Sequence, residues 1–227
     1  MSGDRPAVVA QTQFAAKRDE MAELDLRRRF EYIYRENLWS NAESRSGEGS
    51  SAEETRLLRV ELPRTLAELG AGSLLDVPCG DFHWLSEVEL GIPYIGGDIV
   101  EELVARNRER YSRPGREFVT LDLTRDALPK ADAILCRDCL VHLSFANIER
   151  ALENMQRSGA RFFLLTTFLG QEENRDIEDG DWRPLNFTRA PFHLPAPVRA
   201  IVEGCEEAGG AYRDKALGVW TAAALGA

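Results

Sequence analysis

The residues able to do chemistry sit where apolar runs end. Leu74-Leu75-Asp76-Val77-Pro78-Cys79-Gly80-Asp81-Phe82 reads as a buried strand entering a tight glycine turn, with Asp76 at its end and Asp81 just beyond. Tyr94-Ile95-Gly96-Gly97-Asp98 is a second strand ending in acid. Asp122 ends a third run and Asp138 follows a fourth. Parallel strands finish on one edge of a sheet, so these four acids converge although they are far apart in sequence. Only Gly80 lies in the first turn, so G-x-G-x-x-G is absent. Two acids also crowd the place where a pyrophosphate needs bare N–H groups. The pattern suits a nucleoside carrying positive charge.

Each residue then has an expected task. Asp98 accepts from the two hydroxyls of a ribose through both carboxylate oxygens, and Gly80 lets the backbone approach the ligand. Asp122 accepts from an exocyclic amine, with Ile99 and Leu123 on either side of an adenine ring. Asp76 or Asp81 receives an ammonium group. Asp138 lies nearer the reacting end, in pocket structure or substrate binding. His142, in Asp138-Cys139-Leu140-Val141-His142, is the leading general base, with loop anchoring or substrate orientation as the alternative role. His83, beside the first turn, is a weaker candidate. Trp39 and Arg45 close over cofactor or substrate from the N-terminal side. Arg137 either lines the pocket or pairs with nearby acids. Trp182, Arg183, Asn186, Phe187 and His193 form a recognition set or anchor their own loop.

The elements that must hold these groups alternate. Residues 1 to about 15 read as a loose arm, followed by a helix from Ala16 to Trp39 on which Arg27-Arg28-Arg29 forms a solvated face. Residues 41–51 are a polar, glycine-rich loop whose serines cap a helix over 52–69. Strands are expected at 73–77, 94–97, 117–121, 131–136 and 161–167, with helices at 83–88, 100–111 and 145–158 between them. That alternation specifies parallel pairing with helices on both faces. Residues 170–197 are long, polar and proline-punctuated, as in a lid or binding loop. A helix over 198–208, a short strand ending at Tyr212-Arg213-Asp214 and a final strand over 216–221 complete the chain.

This arrangement resembles the class I S-adenosylmethionine-dependent methyltransferases over roughly residues 70–168, with the terminal strand pair also fitting. Asp76-Val77-Pro78-Cys79-Gly80 is similar to that family's first motif, D-x-G-x-G, with Pro78 in place of the usual glycine. Asp98 matches its ribose-binding acid and Asp122 its adenine-binding acid. Ala133 to Asp138 matches the fourth-strand motif lining the methionine end. The resemblance implies a Rossmann-like α/β fold with a seven-stranded, mostly parallel sheet whose last strand is antiparallel. It implies S-adenosyl-L-methionine as cofactor, held by Trp39, Asp76, Cys79, Gly80, Asp98, Ile99, Asp122, Leu123 and Arg137. His142 and Asp138 are then the catalytic candidates; Arg45 and the 182–193 set contact substrate. Trp39 to Ser50 also resembles an N-terminal signature of small bacterial methyltransferases, W-x-x-x-E-S-x-S-G-x-G-S.

At 227 residues the chain is expected to form one domain: a helical cover over 1–69 and a core over 70–227 carrying the 170–197 loop. The net charge of −10 disfavours nucleic acid as a partner. No apolar run is long enough to span a membrane and no apolar signal core opens the chain, so a cytoplasmic enzyme is expected. Four cysteines fit a reducing compartment. Cys136-x-x-Cys139 is too little for zinc, and no metal is called for. The expected partner is a small-molecule acceptor in secondary metabolism, taking methyl on oxygen or nitrogen, with a homodimer as an admissible assembly. The rival readings are a nicotinamide-dependent oxidoreductase, a non-catalytic methyltransferase-like binder and an enzyme acting on protein.

Overall fold

The structure is a computed structural model and describes residues 5–39 and 41–226. Its strands are β1 (Leu74–Asp76), β2 (Tyr94–Asp98), β3 (Arg116–Thr120), β4 (Ala133–Cys136), β5 (Phe162–Phe168), β6 (Arg199–Val202) and β7 (Lys215–Thr221). Its main helices are α1 (Val9–Met21), α2 (Leu26–Glu36), α3 (Leu58–Glu68), α4 (Glu101–Tyr111) and α5 (Phe145–Arg157). The strands form one sheet in the order β3-β2-β1-β4-β5-β7-β6. The first five pair in parallel, and β7 runs antiparallel to both β5 and β6.

Successive strand residues face opposite sides, and two cores result. Leu75, Ile134, Phe163 and Leu165 join Ile148, Ala151 and Met155 of α5 on one face. Leu74, Leu135 and Leu164 join Leu58, Leu62 and Leu66 of α3 and Val104 of α4 on the other. The expected seven-stranded, mostly parallel sheet with helices on both faces is therefore the observed fold. The order reverses between β1 and β4, which are direct neighbours. A crevice opens at such a switch point beyond the carboxyl ends of the strands. It lies next to Asp76 and the Arg137-Asp138 pair.

Several expected elements differ. The single N-terminal helix is two, because Asp25 caps a new start: its carboxylate accepts from Arg28 N at 2.9 Å. Asn37 ends α2 in the left-handed conformation. The arm is not loose over its described part: α1 begins at Val9, Val8 is buried, and Arg5 forms a two-pronged pair with Asp214 at 2.6 and 2.9 Å. Arg29 leaves the solvated face to donate to Met21 O and Asp179 O. The helix over 52–69 is confined to Leu58–Glu68, preceded by turns that Ser51 caps by accepting from Glu54 N at 3.3 Å.

The largest correction lies at 198–208, where a helix was expected and β6 is found. Ile201, Glu203 and Cys205 are buried while Ala200, Val202 and Gly204 are exposed, which is the two-residue period of an edge strand. Tyr212-Arg213-Asp214 is a turn into β7 rather than a strand.

Candidate functional site

A cavity lies over the carboxyl ends of β1, β2 and β4 and is lined by Asp76, Gly80, Asp98, Asp122, Arg137 and Asp138. The sheet has thus brought the strand-end acids together. Gly80, at φ +54°, turns the chain so that its N–H donates to Asp98 Oδ2 at 3.1 Å. Val100 N donates to the other oxygen at 3.0 Å. These two bonds fix the Asp98 carboxylate at the cavity wall. Burial still raises its pKa to about 6, because two neutral donors replace a full hydration shell. Asp76 is more perturbed. Burial pushes its pKa up to about 7, against the hydrogen bond from Tyr94 Oη at 2.7 Å and with help from nearby Asp98.

Asp122 stands at the far end, its Oδ1 accepting from Thr124 N at 2.9 Å and Thr124 Oγ1 at 2.7 Å, and its Oδ2 lying 3.1 Å from Arg125 Nε. Ile99 and Leu123 flank it on the cavity wall. Cys79 lines the turn, and burial drives its thiol well above its usual range.

The loop over 41–51 closes one side. Asp81 is taken up by it, accepting from Ser44 Oγ at 2.9 Å, Arg45 N at 2.8 Å and Ser46 Oγ at 3.3 Å. Ser46 Oγ in turn accepts from Asp81 N at 3.0 Å. A Cβ on Gly80 would overlap Ser46 Oγ, so this loop approaches as close as glycine allows. Trp39 and Arg45 both reach the cavity from the N-terminal side. Ser40, part of the signature, lies outside the described residues.

At the β4 end a buried ionic cluster forms. Arg137 Nη2 donates to Glu203 Oε2 and to Gly49 O, each at 2.7 Å, and Nη1 lies 3.1 Å from Asp138 Oδ2. Lys215 Nζ donates to Asp138 Oδ2 at 2.7 Å and lies 3.5 Å from Glu203 Oε2. Burial alone would raise the Asp138 pKa, but Arg137 and Lys215 hold it far below the usual carboxylate range. Both readings of Arg137 are realised, since it lines the cavity and pairs with acids.

His142 is buried beside this cluster, its ring stacked on Trp39 with centroids 4.7 Å apart. Nδ1 lies 2.8 Å from Asp181 O. A carbonyl only accepts, so Nδ1 carries the proton and Nε2 is left as an acceptor. Burial lowers the ring's pKa to about 4, which keeps it neutral near pH 7.

The 170–197 segment packs beside the His142 segment. Arg183 is buried and donates to Leu140 O at 2.8 Å and Leu143 O at 2.6 Å. Asn186 clamps its own loop through Gln171 O and Thr188, and Phe187 is in the core. His193 sits in an exposed turn off the cavity wall. Arg183 holds the loop against the His142 segment, as does Gly180 N donating to His142 O at 2.7 Å. Trp182 reaches a second cavity, described below. His83 lies 3.8 Å from Glu43, in a polar cleft outside the first cavity.

Sequence reasoning missed Ser46, Lys215 and Glu203. The signal for Lys215 and Glu203 was a charge on the inward side of an otherwise apolar strand. Among the described residues no group of three or more His, Cys, Asp or Glu side chains is placed to hold a metal, and no helix is long and apolar enough to cross a membrane.

The chain has the class I methyltransferase fold. A family model described as a methyltransferase domain matches residues 75–160, which span β1 to the end of α5. Human N-acetylserotonin methyltransferase, solved with S-adenosylmethionine, aligns over 94% of this chain and 66% of its own, at 14% identity and a TM-score of 0.63. The chain therefore spans just under two thirds of that protein. The methyltransferase domain of a bacterial protein titled CtHen1-C aligns over 50% of this chain and 66% of its own, at 13% identity and a TM-score of 0.44. The PH0226 protein of Pyrococcus horikoshii aligns over 51% and 58%, at 23% identity and a TM-score of 0.41. No curated protein matches.

Proposed function

We propose that the protein transfers a methyl group from S-adenosyl-L-methionine to an oxygen or nitrogen of a small-molecule acceptor. The observation that carries this reading is the pair Asp76 and Asp98. Both are buried in the cavity wall, and neither has a cation within ion-pairing distance among the described residues. A ligand with hydroxyl donors and positive charge supplies what the chain withholds.

The residues fit that ligand along its length. Asp122, Ile99 and Leu123 make the base end, Asp98 the ribose position, and Gly80 with Asp76 the methionine end. Bound there, the cofactor supplies a methyl already activated by a sulfonium. The chain's own task is to orient, exclude water and handle a proton. Trp39 and the loop from Ser44 to Ser50 cover the cavity, which excludes water. Arg137 and Lys215 fix Asp138 at the boundary of the chamber. His142 presents a neutral, unprotonated Nε2 there, suited to accept the N–H or O–H of the attacking group. Holding donor and acceptor in line supplies several kcal/mol, up to roughly 7–11 in favourable intramolecular models.

Calorimetric titration of S-adenosylhomocysteine tests the reading. The wild-type protein is expected to bind it, and Asp98→Ala to weaken binding at least about 100-fold, the lower end for losing two hydrogen bonds to a charged group at roughly 1.5–3 kcal/mol each. Absence of binding by the wild type, or equal binding by the variant, would remove its basis.

A further inference from the structure

A second cavity meets the first along a shared wall of Trp39, Ser46, Asp138 and His142. Its volume is less than half that of the first, about 50 against about 110 Å³, so it admits the reacting end of a molecule and not a second nucleoside. Its far side is built from Phe168, Trp182, Glu207 and Tyr212. Val8, Val9 and Ala10 close it from the N-terminal segment, which Arg5 ties to Asp214 and which Tyr212 Oη ties through Pro6 O at 2.6 Å.

The charges on this wall are unequally matched. Lys215 is committed to Asp138 and Glu203, and Asp138 to Lys215 and Arg137. Glu48, at the rim, accepts from Asn41 Nδ2 at 2.6 Å. Glu54, outside the cavity lining, accepts from Glu206 N at 3.1 Å. Glu207 alone among the cavity's carboxylates has no ion pair or hydrogen-bond donor among the described residues. Burial raises its pKa; Lys215 opposes that, and Asp138, Glu54 and Glu48 reinforce it. The aromatic faces around it are ordered by one another: Trp182 packs edge-on against Tyr212 at 5.1 Å and against Phe168 at 5.9 Å. A carboxylate without a cation, set among indole and phenol rings, is a receptor for an ammonium group.

We propose that this second cavity is the acceptor chamber and takes an amine, with the Glu207 carboxylate as its counter-ion and Trp39, Trp182 and Tyr212 as its walls. This rests on the methyl-transfer reading and narrows it to nitrogen. Burial favours the neutral form of an ammonium–carboxylate pair, so Glu207 takes one proton from the entering ammonium. The freed lone pair forms the N–C bond as the methyl's bond to sulfur breaks, and the bonding electrons stay on sulfur. An N–H of the amine points to Nε2 of His142. The methylated ammonium leaves, and Glu207 returns its proton to solvent.

The test compares n-butylammonium with 1-butanol, matched in shape and differing in charge. Each is titrated at pH 7.5 into protein loaded with S-adenosylhomocysteine and followed by saturation-transfer NMR. The ammonium is expected to bind at least tenfold tighter, and Glu207→Gln to bring the two within twofold while leaving S-adenosylhomocysteine affinity unchanged. Equal binding of the two probes, binding of neither, or a preference that survives Glu207→Gln overturns the proposal. S-adenosylhomocysteine binding is read separately. Its failure rejects the cofactor reading, and the amine-to-alcohol ratio on unloaded protein still decides the chamber.

Discussion

Two sets of buried carboxylates share one crevice and meet opposite fates. Asp138 and Glu203 are enclosed with Arg137 and Lys215, and their charges are balanced within the chain. Asp76 and Asp98, one strand away, have only neutral donors, and burial lifts them to about 7 and about 6. Residue type is the same in both sets; the difference is who supplies the positive charge. Where the chain supplies it, the cluster ties β4, β6 and β7 together. Where it does not, the acids are left with neutral donors, a set that the proposed cofactor would complete.

The sharpest way to break this contrast is to unbalance the paired set. Arg137→Met strips Glu203 and Asp138 of a buried partner and is expected to cost about 3–5 kcal/mol in denaturant unfolding, the range for breaking one side of a buried pair. Arg137→Met combined with Glu203→Leu is expected to recover most of that loss. An equal loss in single and double variants would mean that the pair itself carries no coupling.

A second effect separates proton handling from cofactor binding. His142→Ala is expected to lower turnover at least roughly tenfold, general-base effects being about 100-fold or more, with cofactor affinity nearly unchanged. Unaltered turnover at saturating substrate would assign the ring to packing against Trp39 alone.

A third effect concerns the unpaired set. Asp76 and Asp98 have folded pKa values raised above the unfolded value near 3.9, so folding takes up protons between about pH 4 and 7. Their contribution to stability is present below that window and is lost as pH rises through it, by up to about 1.4 kcal/mol per pH unit and group. Asp138, whose pKa is depressed, contributes in the opposite sense and only at lower pH. The melting temperature of the ligand-free protein is expected to fall between pH 5 and 7 less steeply in Asp76→Asn than in the wild type. Parallel curves would contradict the raised pKa.

The unpaired set was legible in the sequence, and so were Arg137 and Asp138 of the paired set, but Lys215 and Glu203 were not. Asp76, Asp98 and Asp122 follow apolar runs, and a parallel sheet places such ends on one edge whatever the details of packing. Lys215 opens β7 and Glu203 directly follows β6, and their partners lie across the sheet at Arg137 and Asp138. The buried Glu203 in an alternating edge strand hid β6 behind an apparent helix over 198–208, since a charge at an inward position breaks the apolar period. The loop over 170–197 was legible as long and anchored but not as a support: Arg183 satisfies the carbonyls of Leu140 and Leu143, contacts that no local pattern encodes. The N-terminal segment escaped for the same reason, since Arg5 and Pro6 find their partners at Asp214 and Tyr212, near the other end of the chain.

Proton release on cofactor binding is the most direct measurement of whether the unpaired wall awaits a cation. S-adenosylmethionine and S-adenosylhomocysteine are titrated calorimetrically at pH 6.5 in buffers of different ionisation enthalpy. The sulfonium form is expected to displace on the order of half a proton more than the neutral thioether, with Asp76→Asn abolishing the excess. Failure of the sulfonium form to bind, or identical proton balances for the two ligands, would contradict it.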